Sequence, residues 1–119
     1  EYQEAAKNMQ YVEGTHILKT SYFMERLETF HAMQDEMVAS YILLRLEHPG
    51  KSKEEADQIL QHLIRANDVW GISEEGELYL ILSQTDKESL PIVSERLKKA
   101  GIITHETGIA QIARGGGEV

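Results

Sequence analysis

The 119-residue chain contains no cysteine, which excludes disulfides, thiolate nucleophiles and thiolate zinc sites. It has no apolar run approaching 18 residues, so no segment has the composition of a membrane-spanning helix. It also lacks the charged, apolar and small-residue parts of a signal peptide. Positive charge is scarce: 12 Lys and Arg stand against 20 Asp and Glu, a formal net charge of -8. That balance argues against duplex DNA or RNA as a partner, because a phosphate backbone needs a basic footprint. A small anionic ligand held by a few local arginines stays open. No glycine-rich phosphate loop precedes a helix, and the glycine run "RGGGEV" stands at the end of the sequence. There are two prolines, Pro49 and Pro91.

What is present fits one domain. The chain is 41% hydrophobic, enough for one modest core. A first residue of Glu1 rather than Met reads as a piece of a longer protein in a cytosolic setting. Residues 1–12, "EYQEAAKNMQYV", are helix-prone and mostly polar, marginal as an isolated helix and suited to a connector from an upstream domain. "GTHILKT" interrupts. "SYFMERLETFHAMQDE" carries Phe23, Leu27, Phe30 and Met33 on one helical stripe, and "MVASYILLRLE" reads as a buried strand. Pro49-Gly50 marks a turn.

The alternation continues. "SKEEADQILQHLIRA" predicts a helix with Ser52 as N-cap, Glu54 and Glu55 in its first turn, and a stripe of Ala56, Ile59, Leu60, Leu63 and Ile64. "DVWGIS" and "ELYLILS" predict two strands joined by "EEG". "DKESLPIVSERLKKAG" predicts a helix with Leu90, Val93, Leu97 and Ala100 facing inward. Pro91 must lie near its start, and Lys98, Lys99 and Gly101 close it. "IITHETGIAQI" predicts a last strand, and residues 113–119 a flexible tail. The order β-α-β-β-α-β is the split βαβ, or ferredoxin-like, arrangement of the α+β class. It predicts an antiparallel sheet with two helices packed on one face, and Leu63, Ile64, Val93 and Leu97 buried beneath them.

Candidate chemistry is sparse. The five histidines, His16, His31, His48, His62 and His105, are scattered and none pairs at the i, i+4 spacing of a helical metal site. Packing or surface roles outweigh ligation for such lone residues. Glu54-Glu55 and Glu74-Glu75 read as solvated faces rather than catalytic pairs. Arg65 and Asp68 in "RAND" form an Arg-x-x-Asp pair. With five arginines and four aspartates in 119 positions, chance supplies such a pair about 0.17 times per chain, so it is weak alone. One reading is a helix-end arginine followed by a turn aspartate. The other is a guanine clamp, in which arginine donates to O6 and N7 and a coplanar carboxylate accepts from N1 and N2.

The spacing around that pair resembles the GGDEF domain of diguanylate cyclases. In that family an R-x-x-D inhibitory site precedes the G-G-D/E-E-F turn by five residues. Here "RAND" is followed by "VWGIS" and then "EEGEL". "YLILSQTD" resembles the strand after the turn. "IVSERLKKAGI" resembles the next helix, with Arg96 falling on the family's second ligand arginine. "ITHETGIA" resembles the final strand, and "TSYFMERLETF" an upstream helix. The matching segments run from about residue 12 to residue 112, and residues 13–112 would form the domain. Each motif is weak, but their order and spacing together are specific.

The departures from that family are as informative. Glu74 and Glu75 replace the signature glycines that let the backbone approach a nucleotide. Arg45 stands where the family has a magnesium-binding aspartate, Lys19 where it has an asparagine, and the segment of "N-x-x-x-G-H-x-x-G-D" type is shortened. Phosphoryl transfer needs metal and positioned phosphates, so the resemblance implies a catalytically inactive domain without metal or cofactor. It implies cyclic di-GMP as ligand at Arg65, Asp68 and Arg96. The likeness is to degenerate GGDEF receptors that regulate Pel-type exopolysaccharide biosynthesis and export. In those, an upstream domain and membrane anchor place the chain on the cytoplasmic face beside polysaccharide synthase and export proteins. A structural dimerisation domain without ligand is the competing expectation.

Overall fold

The computed structural model describes residues 10–37, 40–64, 68–83 and 87–108. Among these residues seven elements follow in order: α1 (Thr20–Asp35), β1 (Tyr41–Glu47), α2 (Lys53–Leu63), β2 (Val69–Ile72), β3 (Leu78–Ser83), α3 (Leu90–Lys99) and β4 (Ile103–Thr107). The strands form one sheet in the order β2-β3-β1-β4, with every neighbouring pair antiparallel. The fold is therefore α+β, with the β-α-β-β-α-β order that the alternation predicts. The connector helix expected over residues 1–12 and the tail expected over 113–119 lie almost wholly outside the described residues.

Alternating side chains divide the sheet into two apolar layers. On one face Ile42, Leu44 and Leu46 of β1 and Leu78, Leu80 and Leu82 of β3 pack with Ala56 and Leu60 of α2 and Leu97 of α3. On the other, Leu43, Tyr79 and Ile81 pack with Phe23 and Leu27 of α1. The two helices of the alternation thus share a face, as expected, and α1 covers the opposite one. Leu97 is fully buried, whereas Leu63, Ile64 and Val93 are half-buried against the same core. They lie at the border of the layer rather than beneath it.

Local chemistry sets the element ends. Ser52 accepts from the Glu55 N–H (3.1 Å) while the Glu55 carboxylate accepts from the Ser52 N–H (3.0 Å), a complete capping box at the start of α2. Pro91 sits in the first turn of α3, where its missing N–H costs no helical bond. The strand predicted from Met37 begins only at Tyr41. Met37 has φ 60° and is 92% exposed, a conformation no strand residue adopts.

Two further contacts lock α1 and the chain before it. Phe23 lies directly on Gly71 of β2, and a Cβ there would meet the ring carbons at 2.6–2.7 Å. The segment "GTHILKT", expected only to interrupt, is also built in. Leu18 donates its N–H to the Trp70 carbonyl (3.0 Å) and accepts from the Ile72 N–H (3.0 Å), clipping onto the outer edge of β2. Ile17 and Leu18 are both buried.

Candidate functional site

The helices that share a face leave an open groove between them. It has a volume of about 710 Å³ and is lined by Leu63 at the end of α2 and by Pro91, Ile92, Glu95, Arg96, Lys99 and Ala100 along α3. Its geometry follows from the packing of α3. Leu97 and Val93 turn to the core, so Ile92, Glu95, Arg96 and Lys99 face the groove and solvent. Ile92 is 61% exposed. Among the described residues, neither an ion pair nor a hydrogen bond joins Glu95, Arg96 or Lys99 to another side chain. Ala100, expected to face inward, is half-buried and lines this groove.

Of the three residues expected to hold ligand, Arg96 lies on the groove. Arg65 lies outside the described residues; it follows the groove residue Leu63 by two positions. Asp68 is neither a solvated turn residue nor a groove wall. It is 5% exposed at the start of β2, and its Oδ1 accepts from the Ser83 N–H (3.0 Å) and from the Ser83 hydroxyl (3.2 Å). That carboxylate ties the beginning of β2 to the end of β3.

Local hydrogen bonds organise the β2–β3 turn, and Arg45 is bonded to a neighbouring carboxylate. In the β2–β3 turn, Ser73 Oγ accepts from the N–H groups of Glu75 and Glu77 (both 3.2 Å), and Gly76 takes φ 88°. Glu74 and Glu75 are exposed. Arg45 donates to Glu47 (3.3 Å), and His105, its cross-strand neighbour on β4, lies 3.3 Å from the same Oε2. Partial removal from water pushes the Glu47 carboxyl up, but the hydrogen bonds from Arg45 and His105 outweigh it and hold it below the usual carboxylate range. Nearby Tyr79 is raised, first by burial and then by Glu77, whose carboxylate accepts from its hydroxyl (3.3 Å). No group of three or more His, Asp or Glu among the described residues is placed to hold a metal ion.

Three polar residues were missed from sequence alone. Glu95 and Lys99 flank Arg96 on the groove; the signal was Ile92, an apolar residue off the inward stripe of its helix. Asp57 is the third. It is 2% exposed on α2, and its Oδ1 accepts from the Trp70 indole N–H (2.8 Å) and the His16 backbone N–H (3.1 Å), while Oδ2 accepts from Gln61 (2.8 Å). The signal there was the chain's lone tryptophan, which needs a partner when buried.

No known family model matches the chain, and no curated protein matches it at a significant level.

Proposed function

We propose that this chain is a degenerate GGDEF domain of the PelD type, a cyclic di-GMP receptor without cyclase activity that regulates exopolysaccharide biosynthesis and export. The observation that supports this reading best is the groove. Arg96 lies on its α3 wall, and the α2 wall ends at Leu63, two residues before Arg65. The apolar Leu63, Pro91 and Ile92 offer surface to a purine face, and Arg96 and Lys99, which pair with no side chain among the described residues, suit a dianion. At the turn and β1 positions that a cyclase needs, glutamates and a paired arginine stand instead of glycines and a metal ligand. The full-length protein would sit at the cytoplasmic face of a membrane and pass the signal to polysaccharide synthase or export proteins.

In this reading Arg65 takes the O6/N7 edge of one guanine, Arg96 a second guanine or a phosphate, and Asp68 must turn from Ser83 to meet the N1/N2 edge of a base in the same stack. A bidentate arginine contact discriminates by about 1–3 kcal/mol, or roughly 5- to 150-fold. Calorimetric titration with cyclic di-GMP tests it: Arg65→Ala should weaken binding by that factor. Asp68→Asn should weaken it similarly while leaving an oxygen for Ser83. Incubation with GTP and magnesium should yield no cyclic di-GMP. Unchanged affinity in Arg65→Ala would remove the clamp, and product formation would remove the inactive-domain reading.

A further inference from the structure

Glu95 is anomalous in a groove read as the seat of a dianion. It shares the α3 wall with Arg96 and Lys99, and it neutralises neither within the described residues, although Lys99 is one helical turn away. An unpaired carboxylate repels phosphate. It favours a nucleotide only where it meets hydrogen-bond donors. Among purines, guanine presents two adjacent donors, N1–H and the N2 amino group, spaced to meet the two oxygens of one carboxylate. Adenine presents an acceptor at N1, which a carboxylate opposes. Pro91 and Ile92, on the same wall, and Leu63 opposite offer apolar surface to the ring face. The buried Asp68 carboxylate, by contrast, already accepts two hydrogen bonds from Ser83 and does not line the groove among the described residues.

Resting on the reading of the groove as a cyclic di-GMP site, we infer that Glu95 is a specificity-determining residue: it takes the N1/N2 edge of a guanine seated against Pro91 and Ile92. Arg96 then serves the O6/N7 edge or a phosphate, and Lys99 a phosphate. The groove therefore selects guanine over adenine through a carboxylate outside the Arg-x-x-Asp pair.

The experiment titrates the 119-residue chain and its Glu95→Ala, Glu95→Gln and Arg96→Ala variants with cyclic di-GMP and with cyclic di-AMP. Circular dichroism of each variant checks the fold; Glu95 and Arg96 are exposed, so all should be native. Glu95→Ala should weaken cyclic di-GMP by roughly 5-fold or more, as loss of a bidentate base contact does. It should leave cyclic di-AMP unchanged or tighter, so the guanine-to-adenine ratio falls. Glu95→Gln, which keeps one acceptor, should fall between. If Glu95→Ala tightens both dinucleotides alike, Glu95 is only a repulsive charge and the inference is overturned. An unchanged ratio in Glu95→Ala, with Arg96→Ala still weakening binding, overturns it as well. If the unaltered chain binds neither dinucleotide, the receptor reading fails and takes this inference with it.

Discussion

Two places on α2 and its neighbours use polar groups in opposite ways. At Asp57, a carboxylate almost removed from water gathers an indole, a backbone N–H and an amide from three separate parts of the chain. In the groove past the end of the same helix, Glu95, Arg96 and Lys99 stand in solvent along an apolar wall with no described partner. The first arrangement satisfies its own members and leaves nothing to offer a ligand. The second holds charge in reserve beside a surface that would be better covered. The Arg45–Glu47–His105 cluster belongs with the first kind, because Arg45 on β1 and His105 on β4 both approach the same Glu47 oxygen. Glu47 is thus bonded on both sides at the β1–β4 cluster, whereas the charged groove side chains have no partner among the described residues.

The contrast is most open to attack at Asp57. Asp57→Ala leaves the Trp70 and His16 N–H groups without their acceptor and should cost about 2–4 kcal/mol of stability, read by denaturant unfolding. A loss under ~0.5 kcal/mol would show that water replaces the carboxylate and that the site is not closed. Arg96→Ala should do the reverse. It should leave unfolding within about 0.5 kcal/mol of the parent, as exposed positions do, while weakening cyclic di-GMP by up to roughly 150-fold. Comparable damage to stability and binding would erase the distinction. Ser52→Ala tests whether α2, which carries Asp57 and ends at the groove residue Leu63, is set by its capping box; thermal unfolding should report about 1 kcal/mol lost.

The smallest effect is expected at Glu47. Its folded carboxyl lies below its ordinary value, so its contribution is present above the unfolded carboxylate range and is lost as pH falls through the folded value. Glu47→Gln should therefore flatten the acid limb of the stability curve slightly and leave cyclic di-GMP binding untouched. A change in ligand affinity would place the ligand at the β1–β4 cluster instead of the groove.

Much of the fold was legible because its elements are punctuated by residues with local mechanisms. Ser52 and Glu55 announced α2, Pro91 the first turn of α3, and Gly101 the chain beyond it. Topology followed from element order. Burial was less legible where two layers meet. "LYLILS" is buried at every position because β3 is central and covered on both faces, so no alternation marks its register. Leu63 and Val93 belong to the apolar stripes of their helices yet are only half-buried, since the stripes are wider than the layer they cover. Ile17 and Leu18 gave too short an apolar run to distinguish a loop from an edge clip.

The site was legible only in part. Arg96 was singled out through the likeness of "SERL" to a family segment, and it lies on the groove. Asp68 was visible as a residue, but its attachment to Ser83 crosses from one strand end to another and leaves no short-range pattern. Glu95 and Asp57 look alike in sequence, each an acid within a helical stretch. Their difference comes from which side of the helix meets the sheet and what tertiary neighbour waits there.

The bond from Trp70 to Asp57 has a practical consequence. The chain's single indole is 7% exposed and anchored to a carboxylate in the layer between β2 and α2. Its fluorescence is thus an internal gauge of that layer alone. Emission should shift to the red when the layer opens, and Asp57→Ala should alter the native spectrum before any unfolding. Changes confined to Ile92, Glu95 or Arg96 should leave it unmoved, so one optical signal separates loss of the scaffold from loss of the groove.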